Sequence, residues 1–183
     1  MLPMFTACQK FDSQSGDSWS RYIEWSGFHH IDELVSTDSI LCPSLIDNLV
    51  DEDWNFNIPA DNLVYFFRDY EYLKQRVSYD LARHNLLAVT VRPTQTPDII
   101  DGFEFCGYDI LDSHDSISVL ANCGAFPSIY TAADLNRFGL VTDLGRVTQF
   151  AEKIREANPD DHHCCDCRVW GIARYTDAKF SST

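Results

Sequence analysis

The sequence predicts an α+β domain, a largely antiparallel sheet of about four strands covered by helices. Three observations predict it. Apolar residues recur at three- and four-residue spacing over 59–77 and 143–157, the period of a helix with one buried face. Short apolar or alternating runs over 86–91, 103–111, 116–121 and 167–175 read as strands. Three of these strands precede the late helices and one follows, so they do not alternate with helices as a parallel sheet requires. At 183 residues, 45% hydrophobic and 13% aromatic, the chain is long enough to bury one core without disulfides or metal.

Taken in order, the Ser-rich stretch 13–20 makes residues 1–17 a loose N-terminal segment, and Ser181-Ser182-Thr183 closes a loose tail over 177–183. Residues 18–176 form the single domain. Ser18 caps a short helix with Trp19, Tyr22 and Ile23 on one side, ending at Gly27. A brief strand over 31–35 runs into turn chemistry at Thr37-Asp38-Ser39. Leu63, Phe66, Phe67, Tyr70, Leu73 and Val77 make the apolar face of the main helix, 59–77. The strand 86–91 is followed by a loop carrying Pro93 and Pro97. Asp112-Ser113-His114-Asp115 joins 103–111 to 116–121 as a hairpin turn. A capping box, Thr131 with Asp134, opens a helix that Gly139 stops. Leu144, Val147, Phe150, Ala151 and Ile154 face inward on the last helix, which Asn158-Pro159 ends before the strand 167–175.

The charge is segregated along the chain. Residues 22–67 carry nine carboxylates and 93–136 carry seven, with none of the 14 lysines and arginines, in a chain of net charge −14. The expectation is one negative face. Such a surface repels phosphate backbones and anionic lipids, which excludes direct nucleic-acid or membrane binding. The opening residues lack a basic and then apolar signal pattern, no apolar run approaches the ~20 residues of a membrane span, and seven scattered cysteines favour free thiols. The expected location is cytoplasmic.

The most concentrated acidic string, Asp51-Glu52-Asp53-Trp54-Asn55-Phe56, surrounds aromatic rings with acid. Charge steers an encounter and a ring anchors it, a design suited to a basic protein partner. The predicted partner-binding residues are Asp51, Glu52, Asp53, Trp54, Phe56, Asp109, Asp112 and Asp115. The function they point to is an acidic protein-binding domain, in particular an immunity-type inhibitor of a positively charged effector such as a nuclease. The alternative is a Cys/His metal-dependent or thiol-based enzyme or sensor centred on 162–167. There His162, His163, Cys164 and Cys167 include the Cys-x-x-Cys gap that zinc favours, but no second ligand pair accompanies them, so no metal and no cofactor are expected. Cys123 lacks a cationic setting, and His114, its only nearby base, lies at the far end of the predicted hairpin. Asp109 and Asp112, three apart on a strand, point to opposite faces rather than forming a glycosidase pair. No phosphate loop, Gly-x-Ser-x-Gly elbow or His-Glu-x-x-His helix occurs, and no catalytic residue is assigned.

Overall fold

The computed structural model describes residues 2–58, 64–98, 100–123, 126 and 128–176. An α+β architecture is observed, with more strands than the sequence predicts. The main sheet is built from β1 (Met4–Gln9), β4 (Asn57–Ile58), β5 (Phe66–Phe67), β6 (His84–Val91), β7 (Phe103–Leu111) and β8 (Arg168–Tyr175), in the spatial order β4-β5-β1-β6-β8-β7. Every neighbouring pair is antiparallel. A two-stranded ribbon, β2 (Phe11–Asp12) with β3 (Glu33–Leu34), lies beside it. The helices are α1 (Asp17–Ser26), α2 (Tyr70–Arg76) and α3 (Leu144–Ala157).

The sheet is buried on both faces, and β6 displays the reason in its sequence. Leu87 and Val89 join the core beneath α1 and α3, with Trp19, Tyr22, Phe150 and Ile154. Leu86 and Ala88 join a second core beneath α2, with Phe5, Phe67, Leu73 and Val77. Successive strand residues face opposite ways, so a strand buried on both faces reads as an unbroken apolar run.

Five expectations are corrected. The N-terminal segment is not loose over 4–12: β1 is a central strand, paired with β6 from Met4↔Val89 to Gln9↔His84. Its five-residue run Met4-Phe5-Thr6-Ala7-Cys8 is too short for periodicity to separate strand from loop. The main helix is not continuous over 59–77. Residues 59–63, with Leu63, lie outside the described residues, and Phe66 and Phe67 are strand β5. Phe66 packs against Trp170 in one core, their ring centroids 5.5 Å apart, while Phe67 is fully buried in the other. A helix would hold both rings on one side, whereas the strand divides them between two cores. The helix begins only after Asp69, whose carboxylate accepts the Tyr72 amide at 2.7 Å as N-cap.

The hairpin partner 116–121 is no strand; it makes one bridge, Leu111↔Ser118. Three of its amides are taken by carboxylates instead, those of Ser116 and Ile117 by Asp112 and that of Ser118 by Asp38, while the Val119 amide reaches a β7 carbonyl, that of Ile110. The Thr131 capping box forms, but on a single 3-10 turn, Ala132–Asp134, that ends at Leu135. Ser18 does not cap α1: the N-cap is Gly16, two positions earlier, and Ser18 lies in the first turn. The helix closes as anticipated at Gly27, whose φ of 72° and amide hydrogen bond to the Ile23 carbonyl make a left-handed cap.

Replacing Phe67 by Ala is expected to cost about 3–5 kcal/mol, because it empties a fully enclosed ring site. A urea titration checks this; a loss under about 1 kcal/mol would mean that the second core tolerates the cavity.

Candidate functional site

The two base-free segments do converge, though chiefly inside the protein. Asp109 on β7 is fully buried. Its carboxylate accepts the Ser36 hydroxyl at 2.6 Å, the Ser118 hydroxyl at 2.7 Å and the Ile110 amide at 2.8 Å. Burial pushes this carboxyl up to about 7 against those three donors, and the neighbouring Asp38 charge pushes the same way. Asp38 is buried too. One of its oxygens accepts the amides of Ile40 and Leu41, and the other the amide of Ser118 and the side-chain amide of Asn122. This network ties loop 36–42 to the chain that follows β7.

Asp112, at the end of β7, is also without exposure. Its Oδ1 accepts the Ser116 amide at 2.8 Å, the Ile117 amide at 3.1 Å and the Ser116 hydroxyl at 3.4 Å. Its Oδ2 faces two imidazoles, His163 Nδ1 at 3.1 Å and His114 Nδ1 at 3.7 Å. Burial opposes its charge, yet the Ser116 amide, the His163 ring and the Ile117 amide together hold the carboxyl below the ordinary aspartate range. His163 is held in place by two anchors: its amide donates to Asp161 Oδ1 at 2.8 Å, and its carbonyl accepts the Ser113 amide at 2.9 Å. One ligand atom from each of Asp112, His114 and His163 lies within 4.8 Å of the others.

Cys123, Cys164 and Cys167 are not set as low-pKa nucleophiles. Burial raises Cys123 to about 12 and Cys164 and Cys167 to about 11, with nearby acids adding to the rise. Cys167 points beneath α3, its Sγ 3.8 Å from the Ala151 carbonyl, so Cys164 and Cys167 are core residues. His162 is exposed beside His163, their ring centroids 5.6 Å apart.

Among the predicted partner-binding residues, Asp109 and Asp112 are buried and internally bonded, so neither is a surface contact for a protein partner. Asp115 is half-buried against Arg168 at 2.8 Å and Trp170 Nε1 at 3.3 Å. The string 51–56 forms the second surface of interest. Asp51–Asn55 make a 3-10 turn in which Asp53 is fully buried, so it too is an anchor rather than a contact. Its carboxylate accepts the Val50 amide at 2.8 Å, the Tyr72 hydroxyl at 2.6 Å and Arg76 Nε at 3.0 Å. Tyr72 and Arg76 stand four apart on α2 and therefore share one face. Phe56 stacks on Tyr72 at 4.1 Å. Asp51 and Glu52 remain exposed, and Trp54 is 64% exposed.

Arginines from elsewhere neutralise other acids of the base-free segments. Arg174 pairs with Glu33 at 2.9 Å and with Glu104 at 3.6 Å, and Arg146 pairs with Asp134. Glu24, Asp32, Asp47, Asp51, Glu52, Asp98 and Asp101 are left as exposed acids. Among the described residues, the uniform negative face expected from the sequence is thereby thinned.

Sequence reasoning did not find the union of Asp112 with His114 and His163, because 51 residues separate the turn from the later loop. The only signal was Asp-x-His in the turn. A cavity of about 620 Å³ on the β6–β8 face was likewise unforeseen; its floor includes Ala88, Phe103, Phe105, Gly171 and Ala173, and Arg92 and Asp98 are its charged lining. No family model, curated protein or solved structure matches this chain.

Asp109 sets a pH dependence. Its carboxyl titrates near 7 when folded and near 3.9 when unfolded, so the protonated form contributes stability below about pH 4 that is lost as pH rises through 7. Asp109→Asn, with nothing to titrate there, should gain stability relative to the native chain by up to about 1.4 kcal/mol per pH unit across that window. Urea titrations at pH 4.5, 6 and 7.5 measure it; a difference independent of pH would show that Asp109 stays ionised. At the other carboxylate, Asp53→Ala should cost about 2–3 kcal/mol, because it strands Arg76 and the Tyr72 hydroxyl, whereas Asp51→Asn and Glu52→Gln should stay within about 0.5 kcal/mol.

Proposed function

We propose that this protein is a binding domain for a basic protein partner, and that the turn over 50–56 is its contact surface. The observation that carries this reading is Trp54: a large ring, 64% exposed, on a turn whose shape is locked from below by a fully buried carboxylate. A pre-ordered aromatic gives up little conformational freedom on binding, which is why such rings serve as interface anchors. Val50, 45% exposed, extends the apolar spot, and Asp51 and Glu52 border it with negative charge. With a net charge of −14, the surrounding field attracts cationic surfaces and repels phosphate.

Within that class, the reading we favour is an immunity-type inhibitor that covers the phosphate-binding surface of a nuclease-like effector, since exposed carboxylates imitate phosphates electrostatically. A cytoplasmic location, with neither nucleic acid nor membrane as a direct partner, belongs to the same reading. The seven free cysteines accord with a reducing compartment, and no helix among the described residues is long and apolar enough to cross a membrane.

The test is binding kinetics on a basic protein retained by the immobilised domain. Association is expected to slow several-fold between 0.05 and 0.5 M salt as the Debye length shrinks from about 14 to about 4 Å, and again in the double variant Asp51→Asn, Glu52→Gln. Trp54→Ala is expected to raise the dissociation rate by at least about tenfold with little change in association. Binding that ignores both salt and Trp54 would remove this surface from consideration.

A further inference from the structure

We infer that Asp112, His114 and His163 form a binding site for one divalent first-row transition ion of the zinc class. Two imidazoles and a carboxylate are a ligand set that zinc and its neighbours accept, while magnesium and calcium prefer oxygen alone. The spacing fits. Two atoms each bound about 2.0–2.1 Å from a tetrahedral ion stand about 3.3 Å apart. The distances from Asp112 Oδ2 to the two Nδ1 atoms, 3.1 and 3.7 Å, bracket that value.

The carboxylate is prepared for the task by its surroundings. Oδ1 is held by three donors from Ser116 and Ile117, so Oδ2 is the atom presented to a cation, and the donors act as the outer support that fixes a ligand's orientation. Asp112 is fully buried, while the side chains of His114 and His163 are 57% and 49% exposed, so an ion can enter from solvent onto a preset oxygen. The third ligand distance, between the two imidazoles, lies within the 4.8 Å that encloses all three ligand atoms. An ion there would join the turn after β7 to the loop between α3 and β8, and three protein ligands would leave a tetrahedral position open. A simple His–Asp hydrogen bond explains one imidazole at Oδ2; it does not explain the convergence of two.

The experiment uses tag-free protein stripped with chelator and titrated with zinc chloride by calorimetry at pH 7.5, with metal content checked by mass spectrometry. His114→Ala and His163→Ala remove exposed rings and should retain the native circular dichroism spectrum. The expected result is one zinc per native chain, binding weakened at least tenfold in each of these variants, and binding unchanged in His162→Ala and Trp54→Ala. Zinc should also raise the thermal midpoint of the native chain and not that of His163→Ala. No uptake by the native chain, less than tenfold weakening in either ligand variant, or equal weakening in His162→Ala overturns the site. The Trp54→Ala control keeps this outcome separate from that of the docking surface.

Discussion

A carboxylate removed from water must find partners for both oxygens, and this constraint shapes the chain that follows β7 and the loop after β3. Asp38, Asp109 and Asp112 meet it by taking backbone amides and hydroxyls from the chain after β7 and from the loop after β3. Each amide taken is one fewer for a strand ladder. Residues 116–121 accordingly wrap around the acids as turns, although their apolar pattern suits a strand. The same bonds hold Asp112 in one orientation and set His114 and His163 before it.

Charge is sorted differently along the chain and in space. The base-free segments suggest a continuous negative face, yet the fold carries Arg76 to Asp53, Arg146 to Asp134, Arg168 to Asp115 and Arg174 to Glu33 and Glu104. These arginines come from α2, α3 and β8, outside the acidic stretches. Neutralisation across distant segments lets an acidic sequence fold compactly at net −14, since every internal pair removes repulsion that would otherwise oppose the compact state. What persists outside is a set of scattered exposed acids, two of them beside Trp54.

Burial thus separates the acids into two kinds. Asp53 illustrates the division within one short string: its neighbours Asp51 and Glu52 face solvent, while it is fully buried and fixes the turn through Val50, Tyr72 and Arg76. A buried anchor and two exposed acids are adjacent in sequence. Asp112 has the same character at the other surface, with one oxygen fixed by the fold and the other turned toward two exposed imidazoles. In each place a buried carboxylate makes a rigid base for an exposed group, the arrangement that binding sites require.

The sequence alone determined the elements whose evidence is local: the helix α3 with its inward face, the Gly27 stop of α1, and the strands β6, β7 and β8. Periodicity, caps and glycine stops operate within a few residues and are legible there. Tertiary structure decided the rest. Phe66 and Phe67 fit a helical period as well as a strand, and pairing with Phe5 and the existence of two cores settled the choice. Asp109 and Asp112 look like surface acids until distant hydroxyls, amides and imidazoles enclose them, and Cys164 and Cys167 look like ligands until they are buried. Whether a polar side chain lies in water or in the core depends on partners tens of residues away, and a single sequence does not encode that distance in any local pattern.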